Sequence, residues 1–162
     1  MNNDLLIAWL KDAYAMEQAL VPVLENHAKD AKDDPAARSR IELHAEQTRR
    51  HGELMKGCLE HLGSSPSTAK SAVGSLFGTV HSVSTGIFAD ETVKNGLADY
   101  ATEHFEIACY RALSEAARTV NQQHVVDVCG EIIRDEQEMA DWLSSQLPVI
   151  VRNTMSKAQV KR

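Results

Sequence analysis

Apolar residues recur along this chain at steps of three and four, the spacing of one face of an α-helix. Leu6, Leu10, Ala13, Leu20, Leu24 and Ala28 trace the first such line and predict a helix over residues 3–33. Pro22 falls inside it. A proline has no N–H to give the carbonyl of Gln18 and crowds it, which predicts a bend there. Asp34-Pro35 ends one element and starts the next, with Asp as cap and Pro at the first helical position. The second line reads Ala37, Ile41, His44, Thr48, His51, Met55, Cys58 and Leu62, apolar at both ends and polar in the middle. It predicts a helix over residues 35–62, closed by Gly63. Residues 63–89 open on loop composition and continue with small residues and glycines, predicting a crossover that contains one or two short helices. Asp90 suits the cap of a third helix ending near Thr119. A fourth is predicted from Gln122 or Gln123 to Leu147, with Pro148 bending or ending it and an amphipathic turn or two beyond.

Short links after the first and third helices make each consecutive pair an antiparallel hairpin, and the long middle segment lets the second hairpin lie against the first. The expected fold is all-α: an antiparallel four-helix bundle over residues 1–155, followed by a short, frayed basic tail over 156–162. A length of 162 residues fits one such domain. No alternating run of β-branched and aromatic residues argues for a strand.

The formal net charge of −6, with acids and bases interspersed, argues against a nucleic-acid partner, which selects a basic face. No apolar stretch approaches the length of a membrane span, so no membrane association is expected. The first residues, Met1-Asn2-Asn3-Asp4, lack the basic start of a signal peptide, which makes a cytoplasmic protein the expectation. Cys58, Cys109 and Cys129 form no C-x-x-C pair and sit on or beside apolar stripes, as packing thiols do.

The acids change this picture. Glu17 interrupts the apolar line of the first helix and Glu136 that of the fourth; Glu103 and Glu106, one turn apart, share a face of the third. A buried carboxylate is unfavourable unless paired or bound to a metal, so acids on inward lines of three helices ask for a shared partner. Depth agrees. Glu17 and His51 lie equally far on either side of Asp34, and Glu106 and Glu136 equally far from Asn121. Either His44 or His51 joins them from the second helix. Glu17, His44, His51, Glu103, Glu106 and Glu136 are therefore the candidate metal ligands, placed as in bundle-core metal sites. Tyr110 is in reach of a ligand carboxylate, whereas His27, His61, His81 and His124 read as surface or helix-end residues. The structural alternative is that stripe glutamates and histidines turn to solvent or pair among themselves.

The strings Leu10-Lys11-Asp12-Ala13-Tyr14-Ala15-Met16-Glu17, His44-Ala45-Glu46-Gln47-Thr48, Glu103-His104-Phe105-Glu106-Ile107-Ala108-Cys109-Tyr110 and Asp135-Glu136 resemble the YciE/YciF family of ferritin-like proteins. The resemblance spans nearly the whole chain. It implies a ferritin-like bundle, a homodimer and a link to bacterial stress responses. Ferritin-like di-iron proteins draw one Glu from each of two helices and Glu-x-x-His from each of the other two. Glu17, Glu103 and Glu136 match this pattern. Met139 stands where the last His belongs, and the second helix offers His44 with Gln47, or Thr48 with His51. Iron or manganese is the implied cofactor, with one ion, two ions or a vestigial site all open. The functions to be separated are a metal-binding protein with oxidase or peroxidase chemistry and a non-catalytic stress-related helical dimer with a metal-free polar core. An iron-storage cage is disfavoured, and the substrate is not legible.

Overall fold

The computed structural model describes residues 3–66 and 90–160. Four helices fill them: α1 (Asp4–Asp30), α2 (Pro35–His61), α3 (Glu91–Thr119) and α4 (Gln123–Val160). The expected crossover helices, and with them His81, lie outside the described residues. The predicted caps are present. Asp34 accepts from the Ala37 N–H at 3.0 Å, with Pro35 in the first turn, and Asp90 accepts from the Val93 N–H at 3.1 Å. Gly63, just past α2, takes a φ of +71°, the left-handed conformation that closes a helix.

Two boundaries differ from expectation. α1 stops at Asp30, before the predicted end at residue 33. α4 runs through Pro148 and carries the predicted tail as helix as far as Val160. Pro148 and Ser144 are both exposed, so water can solvate the carbonyl that the proline leaves unbonded. Pro22, also exposed, is carried inside α1 in the same way.

α1 packs against α2 and α3 against α4 as the predicted hairpins; the hairpins meet through α1 with α3 and α2 with α4. Among the described residues the interior has two apolar clusters. The larger joins Leu6, Leu10, Met16 and Leu20 of α1 to Met55 and Leu59 of α2, Leu113 of α3 and Ile132 of α4. The smaller draws its buried members, Leu24, Ala28, Ile41, Ala45, Met139 and Leu143, from α1, α2 and α4. A polar layer lies between the two. Among the described residues, no helix is long and apolar enough to cross a membrane.

Candidate metal centre

All six residues singled out from the sequence are buried: Glu17, His44, His51, Glu103, Glu106 and Glu136 are each at most 2% exposed. Five of them form two groups whose donor atoms lie within 4.8 Å of one another: Glu17, His51 and Glu136, and His44, Glu103 and Glu136. In the first, His51 Nδ1 is 2.8 Å from Glu136 Oε1 and 3.8 Å from Glu17 Oε2. In the second, His44 Nε2 is 3.2 Å from Glu103 Oε1 and 3.4 Å from Glu136 Oε2. Glu136 therefore belongs to both trios and turns a different oxygen to each. His44 and His51, two turns apart on α2, both face inward, one to each trio. Glu106 is buried beside the trios, within electrostatic reach of Glu136, Glu17 and Glu103, but belongs to neither.

Local sequence explains the convergence. Each trio takes residues from both hairpins, so the polar layer forms where the hairpins meet. At that level α2 carries Gly52, where a Cβ would come within 2.9 Å of Gln18 Nε2 and 3.6 Å of Glu17 Cβ; the missing side chain lets α1 approach.

Each imidazole has an outer partner. His51 Nε2 lies 3.0 Å from Asp135 Oδ2, which leaves Nδ1 aimed at the trio. Asp135 is in turn held by Arg50 at 2.7 Å, and Arg50 also pairs with Glu131. His44 Nδ1 lies 3.3 Å from Gln47 Oε1, leaving Nε2 inward. Such partners fix the tautomer and ring orientation of a ligating histidine. The Tyr110 hydroxyl donates to Glu17 Oε1, as the sequence allowed. Thr48, between the two histidines, donates to the His44 carbonyl at 3.1 Å, and Met139 packs in the smaller apolar cluster. Thr48 supplies no carboxylate and Met139 no imidazole where the di-iron pattern has them.

The electrostatics are those of carboxylates crowded without a cation. Burial, with Glu136 adding to it, raises Glu17 from an ordinary 4.5 to about 8, against the lowering pull of His51 and Tyr110. Burial and neighbouring carboxylates hold Glu103 and Glu106 well above the ordinary value. Burial also disfavours the Glu136 anion, but His51, Glu103 and His44 outweigh it and keep that carboxyl low. His51 is raised: burial acts against its cation and Glu136, Glu17 and Asp135 prevail. Each of the six residues still keeps a buried carboxylate oxygen or ring nitrogen without an aligned hydrogen-bond partner. Buried polar atoms normally have partners. A set of oxygens and imidazole nitrogens left unpaired and aimed together fits a metal ion of intermediate hardness.

Two placements correct or extend the sequence reading. His27, read as a surface or helix-end residue, is buried, with Nδ1 2.6 Å from Asp99 Oδ1. Asp135 has a role that its position off the stripe did not announce. His61 and His124 are exposed as expected, with ring centroids 5.1 Å apart. Cys58 and Cys129 are buried and Cys109 half-buried; burial pushes Cys58 up to about 11 and Cys129 to about 12, which marks them as packing thiols.

Four antiparallel helices around a mid-length layer of carboxylates and imidazoles define a ferritin-like protein. The chain belongs to the family described as domain of unknown function (DUF892), which matches residues 1–156, and its fold is the ferritin-like bundle that its motifs implied. A crystal structure of a protein from Xanthomonas campestris pv. campestris is 35% identical and superposes with a TM-score of 0.84 over 98% of this chain and 99% of that one. The stress protein YciF of E. coli, at 19% identity, gives 0.77 over 93% of this chain and 96% of that one. The bacterioferritin BfrA of Mycobacterium tuberculosis, at 14%, gives 0.75 over 94% and 89%. The last two are alike in fold.

Proposed function

We propose that this protein binds iron or manganese at the mid-bundle cluster and serves a bacterial stress response. The observation that carries this reading is the set of buried, unpaired donor atoms on Glu17, His44, His51, Glu103, Glu106 and Glu136. Four glutamates, once ionised, supply the negative charge that two divalent cations neutralise. Each trio offers three protein donors and so leaves coordination positions for an exogenous molecule. When bound, such an ion supplies redox chemistry of the oxidase or peroxidase type. The protein's own part is to orient the ligands through Asp135 and Gln47, to hold a proton between Tyr110 and Glu17, and to keep water out with the two apolar clusters. The stress role is supported by the fold shared with the stress protein YciF.

Elemental analysis of the purified protein, with anomalous diffraction at the iron and manganese edges, tests this. One or two ions per chain between the trios is the expected result. A chain that stays metal-free after exposure to ferrous and manganous salts would overturn it in favour of a metal-free polar core. The reading includes a homodimer. Val149 and Val151 stand exposed on α4, apolar positions for a second copy to cover. A monomer mass by light scattering at micromolar concentration would refute the dimer.

A further inference from the structure

A second set of ligand-type side chains lies between the trios and one end of the bundle. The buried His27 and Asp99 join α1 to α3 at 2.6 Å. Asp99 sits one turn before Glu103 on the same face of α3, close enough for its charge to act on that carboxyl. One turn earlier, Asn95 donates to the exposed Asp30 at 3.0 Å, and the Asp30 charge reaches His27. Asp30, His27, Asp99 and Glu103 thus mark a line from the surface to the second trio.

The surroundings set this line apart. At the same end the smaller apolar cluster takes its buried members from α1, α2 and α4, while α3 turns Asp99 and Glu103 inward. A buried ion pair is no better a stabiliser than a well-packed apolar pair, so stability alone does not account for it. Two other approaches among the described residues suit a cation poorly. Toward the start of α1 the trios are backed by the larger apolar cluster and Tyr110. On the α2–α4 side the half-buried Asp135 carries the Arg50 guanidinium, which repels a cation. Lysines near the line turn to their own partners, Lys94 to Glu91 and Lys29 to Asn26.

We infer that Asp30, His27 and Asp99 form the inward path of a divalent metal cation, with the His27–Asp99 pair a transient binding site before Glu103. This rests on the metal-binding reading above. Asp30 draws the hydrated ion to the mouth. The imidazole and carboxylate then replace part of its water shell with nitrogen and oxygen donors, and Glu103 receives it in the second trio.

The test mixes the metal-free protein with Co2+ in a stopped-flow instrument and follows the absorbance of the bound ion. His27→Gln, which removes an imidazole donor, and Asp99→Asn, which removes a negative charge that guides the cation, should each slow uptake by about tenfold or more, with the final spectrum and stoichiometry unchanged. Asp30→Asn, at an exposed position where folding is not at risk, should slow uptake about twofold at low ionic strength, an effect that added salt erases. Wild-type rates in all three variants overturn the path and leave the metal site standing. So does a lowered stoichiometry at an unchanged rate, which would make His27–Asp99 a structural support only. A wild-type protein that takes up no Co2+ overturns the metal-binding reading and the path with it.

Discussion

Glu136 Oε1 lies 2.8 Å from His51 Nδ1, and this contact helps make Glu136 the one glutamate of the four whose pKa stays below the ordinary value. Its other oxygen faces His44 at 3.4 Å. The cluster thus has one anion standing between two imidazoles, with Glu17, Glu103 and Glu106 held toward their neutral forms around it.

Replacing Glu136 by Gln should remove metal from both positions. The affinity loss should exceed the roughly 10–100-fold that follows removal of a histidine's outer partner. Glu17→Gln should empty only the trio it belongs to, and Glu46→Ala, at an exposed position, should change nothing. Metal content per chain, measured beside far-ultraviolet circular dichroism to confirm intact helices, separates these outcomes. Equal loss in Glu136→Gln and Glu46→Ala would contradict the assignment.

Asp135→Asn should weaken metal binding by about 10–100-fold without abolishing it, because His51 loses the carboxylate that orients its ring. Titration with Mn2+ against a competing chelator measures the change. An unaltered dissociation constant would show that packing alone orients His51.

Tyr110→Phe removes the hydroxyl that donates to a fully buried carboxyl. The metal-free protein should lose about 1–3 kcal/mol, the range for a buried group left without its partner. Urea midpoints at matched pH give the figure, and an unchanged midpoint would mean that Glu17 is satisfied by other means.

The metal-free protein should lose stability as the solution turns alkaline. Between 4.5 and about 8 the folded chain keeps a proton on Glu17 that the unfolded chain has released, so the unfolding free energy falls as pH rises through that window. Glu103 and Glu106 act in the same direction. His51, raised in the folded state, contributes stability below its ordinary 6.5 and loses it as pH rises through its folded value, which adds to the decline. Glu136 and Asp135, lowered from 4.5 and 3.8, weaken the fold on the acid side as they take up protons. Thermal midpoints in chelator should therefore be higher at about pH 5 than at about pH 8, and a bound divalent ion, which needs deprotonated ligands, should reverse that order. A chelated protein more stable at the alkaline end would sink this account.

The helices were legible because their signals are local. Asp34-Pro35, Asp90 and Gly63 act within a turn of themselves, and each was found capping or closing the predicted element. The six cluster residues were legible because a glutamate or histidine on an apolar line at matched depth stands out from its own neighbours. Counting residues from a turn fixes depth only to about one turn, so it could not tell Glu106, which lies outside the trios, from Glu103 within one. Asp135 was hidden because the step from Glu136 turns it about 100° off the stripe. The His27–Asp99 pair spans 72 residues of sequence, and no local pattern announces a contact of that range. Pro148 reads as a bend or a stop from sequence, whereas its tolerance depends on solvent reaching the carbonyl behind it.

Because both trios end on Glu136, the order of the chain also sets the order of assembly during synthesis. Glu17, His44, His51 and Glu103 all leave the ribosome before it. A nascent chain that has completed α1, α2 and α3 can present neither trio, and no truncated product that stops short of α4 can present one either. Both positions come into being together, when the last helix docks.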